Sequence, residues 1–325
     1  MDFYSRILKG NDDQRQLNFN PKISVSWVKL SSTALLSIFS LIVSTNASFA
    51  GDPFRNTNPR DISAQTESAF KALFEDGNYP QAKVYLTEAK NSSQNDPLLP
   101  ALRASLAYTE QDWENMELYT AETLKVARSI GAKDPLRSNL YLAVGNFLDG
   151  ANEYRQKGAL AALGKLQLVF DYFDKAEKID KNDPELNLIK GYLNLMLAVN
   201  LPFSSPQQAI DNLKSYASPQ YLVNRGIAVA YRDLKDYDSA LTYVNKSIES
   251  TPLNPELYYL KGQILRNKGE KENSLPLLEE AVKNFDIALA KVNQLPQESV
   301  KKPLEREKRK TLEKIAELGT SSSSP

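Results

Sequence analysis

YLVNRGIAVAYRDLKDYDSALTYVNKSIESTPLN, residues 221–254, is the stretch on which the fold of this chain turns. Apolar residues recur in two blocks, first Ile227, Ala228 and Tyr231 and then Ala240 and Val244, with Asp236 and Tyr237 between them and Pro252 after them. Spacings of three and four put such residues on one face of a helix, so the stretch predicts two helices joined by a tight turn. Ala228 and Ala240 are small where two backbones must approach, while Tyr231 and Val244 are large where the space beside them must be filled.

The same layout extends in both directions. Moving on by 34 residues turns Ala228 into Gly262, Tyr231 into Leu265 and Ser247 into Ala281. The phrase NPELYYLKG (254–262) has a near copy in DPELNLIKG (183–191), and both end on a glycine at the place of Ala228. The copy between them, SPQYLVNRG, can also be aligned by its own Pro and Gly, but the frame set by Tyr237 and Ala240 fits both helices. Upstream, AFKALFEDGNYPQAKVYLTEA (69–89) carries Tyr79, Ala82, Leu86 and Ala89 in register. Trp113 follows Tyr79 by 34 residues, with Met116 where a small residue is usual. A third unit runs from a helix beginning near Pro135 and ending near Gln156 into GALAALGKLQLVFDYFDKAEKID, where Phe173 and Ala176 take second-helix positions. The fourth is stretched by NLMLAVNLPFSSP (194–206). Breaks such as SQNDP, GAKDP, DKNDP and STPLNP separate the units, because the residue before Pro avoids the helical region and Pro suits a first helical turn.

A unit of 34 residues with this pattern resembles the tetratricopeptide repeat, and the resemblance covers most of residues 61–290. It implies an all-α fold, an α-solenoid of about six helix pairs over 61–296. The charged stretch EREKRKTLEKIAEL (305–318) reads as part of a capping helix over 297–318, since a last repeat needs a polar outer cover. Residues 51–60 read as a linker and 319–325 as a disordered tail.

Composition narrows the chemistry. The chain has 325 residues, 42% hydrophobic and 25% charged, with 40 basic and 40 acidic side chains, so no electrostatic footprint of a nucleic-acid binder is present. It has neither Cys nor His, which removes thiolate and imidazole metal sites, the Cys nucleophile, the lipoprotein anchor and the usual base of a catalytic triad. LGKLQ (163–167) lacks the Gly and Ser/Thr partners of a phosphate loop. Glu279 with Glu280, and Asp233 with Asp236, fit solvated helix faces. NDD (11–13) lacks the remaining ligands of a Ca²⁺ loop, and the sequons at Asn91 and Asn245 are short enough to arise by chance. The expectation is a protein with no catalysis, no cofactor and no metal.

The first fifty residues bear on compartment. Lys22 and Lys29 precede the apolar run LSSTALLSIFSLIV (30–43), and STNASFA then leads to Gly51. Basic flank, apolar run and small residues Ser48 and Ala50 make residues 1–50 a secretory signal region cut before Gly51; the alternative is an uncleaved anchor, for which the run is short. The chain is similar to the single-array, secreted tetratricopeptide proteins of bacteria, cyanobacteria among them, which implies the periplasm, or a thylakoid lumen in a cyanobacterium.

The resemblance also implies a non-catalytic scaffold that takes a protein or peptide partner on its concave face. Carried over residue by residue, the partner-contacting positions are Leu188, Tyr192 and Met196 in the fourth unit, Arg225 and Arg232 in the fifth, and Tyr259, Gln263 and Arg266 in the sixth. Arg232 and Arg266 are expected to point into one groove. The Lys and Asn pattern that grips a C-terminal carboxylate is not reproduced, since Val229 stands where Asn is needed. Two other readings remain open: a small-ligand or peptide receptor of an envelope transport system, with a pocket around Tyr192 to Phe203, and a hydrolase built on carboxylates or Ser.

Overall fold

The computed structural model describes residues 51–89, 95–200 and 206–321. Among these, thirteen α-helices and no strand are found. They form six pairs in chain order: α1 (Ala64–Phe74) with α2 (Tyr79–Glu88), α3 (Leu98–Glu110) with α4 (Trp113–Ser129), α5 (Pro135–Lys157) with α6 (Ala159–Ile179), α7 (Pro184–Asn200) with α8 (Pro206–Ser215), α9 (Gln220–Asp233) with α10 (Tyr237–Ser250), and α11 (Pro255–Glu272) with α12 (Leu275–Leu289). A single helix, α13 (Lys302–Ser321), follows and packs on α12 and α11. The chain is therefore the all-α solenoid that the repeat pattern implies. The cap begins later than expected and continues to Ser321, through the first part of the expected tail; 322–325 lie outside the described residues.

The breaks work as their residues dictate. Asp134 accepts a hydrogen bond from the Arg137 backbone N–H, Asp183 from that of Leu186 and Asn254 from that of Glu256, each with Pro as the next residue. A side-chain acceptor before Pro satisfies one orphan donor of the helix start. The turns inside pairs share another device. Gly77, Gln111, Lys235 and Asn273 have φ of 61°, 59°, 62° and 50°. One residue later in each turn stands Asn78, Asp112, Asp236 or Ser274, at the N-cap of the second helix. The left-handed residue reverses the chain, and the cap starts the return helix.

Small residues sit where the pairs close. A Cβ on Gly191 would stand 2.6 Å from Leu213 Cγ in the partner helix, and one on Gly262 would run into the ring of Phe285, which is 0% exposed. The two glycines that end the repeated phrases thus hold the same place in their pairs. Gly262→Ala is expected to destabilise the chain by about 1–3 kcal/mol through overpacking, measured by urea unfolding; an unchanged midpoint would contradict the packing. Met116, by contrast, is 0% exposed in a pocket with Ala104, Ala107 and Leu148, so the unusual residue of the second unit is accommodated by its neighbours.

The array turns back on itself. After α12, a 3₁₀ turn at Val292–Gln294 lies against α2, and a π-helical turn at Gln297–Lys301 lies against α3. One apolar core runs continuously from Phe54 and Ile62 through Phe70, Tyr141, Leu186 and Leu222 to Ile264. Residues 51–60 belong to this body rather than to a linker: Asp52 is 6% and Phe54 4% exposed. Burying Phe54 edge-on against Phe70, with ring centroids 4.7 Å apart, is what draws the segment in.

Candidate interaction surface

The first helices of units three to six begin at Asp134-Pro135, Asp183-Pro184, Pro219-Gln220 and Asn254-Pro255, and the N-terminal part of the chain lies across this row of helix starts. Arg60 spans two of them: its guanidinium is 3.3 Å from Asp134, 3.1 Å from Asp183 and 2.7 Å from Glu185. Arg55 also pairs with Asp183. Further along, the α1–α2 turn reaches the sixth unit, where the Asn254 side-chain amide donates to the Phe74 carbonyl at 3.2 Å. The Tyr79 hydroxyl donates to Glu256 at 2.9 Å.

The two copies of the repeated phrase perform parallel tasks here. Glu185 and Glu256 occupy the same place in DPEL and NPEL, and both are 0% exposed. Each accepts from a buried phenol, Tyr141 at 2.5 Å for Glu185 and Tyr79 at 2.9 Å for Glu256. Each also meets an arginine from the preceding unit: Arg137 at 3.7 Å, and Arg225 at 3.1 Å. Burial raises both carboxyls, with Arg137 and Arg60 opposing at Glu185 and Arg225 opposing at Glu256. Burial, and then the adjacent glutamate, also hold both phenols protonated well above the usual tyrosine range. A carboxylate so placed must be paired and hydrogen-bonded, or its desolvation is uncompensated. Arg137 completes the network by pairing with Asp96 at 2.9 Å and lying over the Tyr141 ring at 5.4 Å.

The expected partner-contacting residues divide into two groups. Leu188, Tyr192 and Met196 are 1%, 5% and 4% exposed and lie in the main core, with the Tyr192 hydroxyl donating to the Leu222 carbonyl at 2.8 Å. Arg225 is 2% exposed and held by Glu256. In this conformation those four serve the chain's own packing: Leu188 and Met196 lie in the core, Tyr192 lies against Leu222 and Gly226 of α9, and Arg225 meets Glu256 of α11. Of the stretch 194–203, Leu195, Met196 and Leu197 are buried, and 201–203 lie outside the described residues.

Arg232, Tyr259, Gln263 and Arg266 are brought together. Arg232 donates to Gln263 at 2.9 Å and pairs with Asp233, while Gln263 donates to Glu307 of α13 at 3.1 Å. The Tyr259 hydroxyl donates to the same Glu307 at 2.8 Å, and Arg266 pairs with Glu270 at 2.8 Å and approaches Glu307 at 4.0 Å. Arg232 and Arg266 do therefore share one ledge, but α13 lies along it. Tyr259 is buried there, whereas Arg232, Gln263 and Arg266 keep part of their surface in solvent.

Two features escaped the sequence reading. One is Glu185 and Glu256 themselves; the signal was the Glu repeated at one place in both phrases. The other is a half-buried stack of Tyr231 on Tyr243, centroids 5.7 Å apart, with Lys214 over both rings and Lys246 over Tyr243.

Two carboxyls in the α1–α2 turn carry a pH dependence. Burial raises Glu75 to about 7 against the pull of Lys71, and raises Asp76 to about 6 against that of Lys291. Both folded values lie above the unfolded ones, near 4. The native turn therefore keeps protons that the unfolded chain releases, and the resulting stabilisation, complete below about pH 4, is lost as pH rises through 6 to 7. Hydrogen-exchange protection of the α1 and α2 amides, corrected for intrinsic rates, is expected to fall between about pH 5 and pH 7.5. Glu75→Gln combined with Asp76→Asn is expected to flatten the profile; a flat wild-type profile would contradict the burial of the turn.

Among the described residues, no three side chains of metal-ligating type gather where they could hold an ion. No curated protein matches the chain. Residues 226–252 and 255–284, the fifth and sixth helix pairs, match the family model of the tetratricopeptide repeat.

Proposed function

We propose that this chain is a non-catalytic scaffold, exported across a membrane, that holds a protein or peptide partner. Tetratricopeptide repeats usually bind proteins or peptides, and the all-helical fold they build is typically non-enzymatic; the tandem match over 226–284 is the observation that carries the reading. The partner-facing surface is the ledge of Arg232, Gln263 and Arg266 beside Glu307, since these side chains remain partly open to solvent where the inner row is filled. Arginine offers a large contact area and a planar fork of donors, which suits an interface anchor. The N-terminal signal pattern favours export, with the periplasm as the compartment, or a thylakoid lumen if the source is a cyanobacterium. No described helix is long and apolar enough to cross a membrane.

The test uses the chain from Gly51 as bait in the native envelope fraction, beside a variant carrying Arg232→Glu and Arg266→Glu. Recovery of one protein with the parent chain and its loss with the variant, at unchanged circular dichroism, is the expected result. Equal recovery with both chains would remove the ledge from the account, and recovery of nothing by either would remove the scaffold reading.

A further inference from the structure

The residue that a signal-type cut would leave at the N-terminus makes a hydrogen bond of its own in the fold. The residue order Ser48, Phe49, Ala50, Gly51 places a signal-type cut after Ala50. Gly51 itself is bound in the fold: its backbone N–H donates to Glu67 Oε2 at 2.7 Å. Glu67 stands in the first turn of α1, 15% exposed, with its other oxygen 2.6 Å from Lys71 Nζ. Beyond it the segment is held at Asp52, Phe54, Arg55 and Arg60, with 56–59 exposed between them. The Asp52 carboxylate accepts from the N–H groups of Phe54 at 2.9 Å and Arg60 at 3.0 Å, Phe54 enters the core, and Arg55 and Arg60 reach the starts of α5 and α7.

We propose that Gly51 is the mature N-terminus and that Glu67 is the receptor for its ammonium group, so that removal of residues 1–50 tightens the seat of segment 51–62 across the row of helix starts. The proposal rests on the export reading above and adds a processing site and its partner within the fold.

The chemistry is a hydrolysis by an endopeptidase specific for small-residue signal sites. Water adds across the Ala50–Gly51 amide: its oxygen goes to the Ala50 carbonyl carbon, which leaves as a carboxylate, and the Gly51 nitrogen becomes a primary amine. An α-amino group has an ordinary pKa of about 7.7–8.0 and is mostly protonated at neutral pH. The atom that donated to Glu67 as a neutral amide then carries a full positive charge against a carboxylate. Charge-assisted hydrogen bonds are roughly twice as strong as neutral ones. The segment it anchors is the one through which Arg55 and Arg60 neutralise Asp183 and Glu185, so the gain is delivered where units three and four meet.

The experiment compares a chain that begins at Gly51 with one that begins at Ser48, each with Glu67 intact and with Glu67→Gln, by hydrogen exchange of the amides of residues 52–62. With Glu67 intact, exchange is expected to be roughly fivefold slower in the chain with the free Gly51 amine, about the difference between a neutral and a charge-assisted bond. With Glu67→Gln the two chains are expected to exchange alike. Equal exchange with Glu67 intact would overturn the receptor role. In parallel, the N-terminal mass of the protein isolated from its native envelope is expected to correspond to a start at Gly51. A cleaved start elsewhere would overturn the processing site alone, and an uncleaved chain in the cytosol would overturn the export reading with it.

Discussion

Replacing Arg225 with Ala is expected to lower the unfolding free energy by about 3–5 kcal/mol, the usual cost of removing one partner of a buried ion pair. Arg225 is 2% exposed, and its partner Glu256 is 0% exposed at 3.1 Å. With the guanidinium gone, Glu256 keeps the Tyr79 hydroxyl but, among the described residues, no cation in direct contact. The double change Arg225→Met with Glu256→Leu removes charge from both sides and is expected to recover much of the loss, because a buried pair and its apolar replacement are often close in stability. Urea unfolding of the three chains measures both effects. A loss under about 1 kcal/mol for Arg225→Ala would mean that the pair is solvated, as surface pairs are.

The second large effect concerns the hairpin itself. Phe70 of α1 is 1% exposed, edge-on to Phe54 at 4.7 Å and to Phe74 at 5.6 Å. Phe70→Ala removes a whole ring from a fully packed site and is expected to cost about 3–5 kcal/mol. Because the hairpin shares one core with units three to six, the loss should spread. Amides at the starts of α7 and α11 are expected to exchange faster along with those of α1. Faster exchange confined to α1 and α2 would show instead that the hairpin is a separately stable flap.

These expectations differ from what a repeat pattern alone suggests, and particular residues show why. The helix pairs were legible because their determinants are local. Asp134, Asp183 and Asn254 cap the helix that the following Pro begins, Gly191 and Gly262 permit close approach within their own pairs, and Trp113 keeps the phase set by Tyr79. The shared position of Arg232 and Arg266 followed from the same periodicity.

What fills the inner row is not local. Arg60 meets Glu185 across 125 residues, and Tyr79 meets Glu256 across 177. A repeat frame states which face a side chain takes, but it does not state what arrives to cover that face. Leu188, Tyr192, Met196 and Arg225 were read as partner-contacting from that frame, which does not show that they are buried within the chain itself. Residues 51–60 were passed over for a related reason, since they show no helical period. Yet Phe54, Arg55 and Arg60 are large side chains for a spacer, and each finds a partner in the body of the array.

The central claim is that the N-terminal hairpin seats on the starts of the first helices, and the absence of Cys from this chain makes it directly testable. A Cβ built on Gly77 lies 3.3 Å from Asn254 Cγ, close to the separation between a Cβ and the far sulfur of a disulfide. With Gly77→Cys and Asn254→Cys as the only thiols, mild oxidation of the folded protein is expected to give a nearly complete intrachain disulfide, and oxidation in concentrated denaturant little of it. Thiols that stay free while the chain keeps its native helix content would contradict the account.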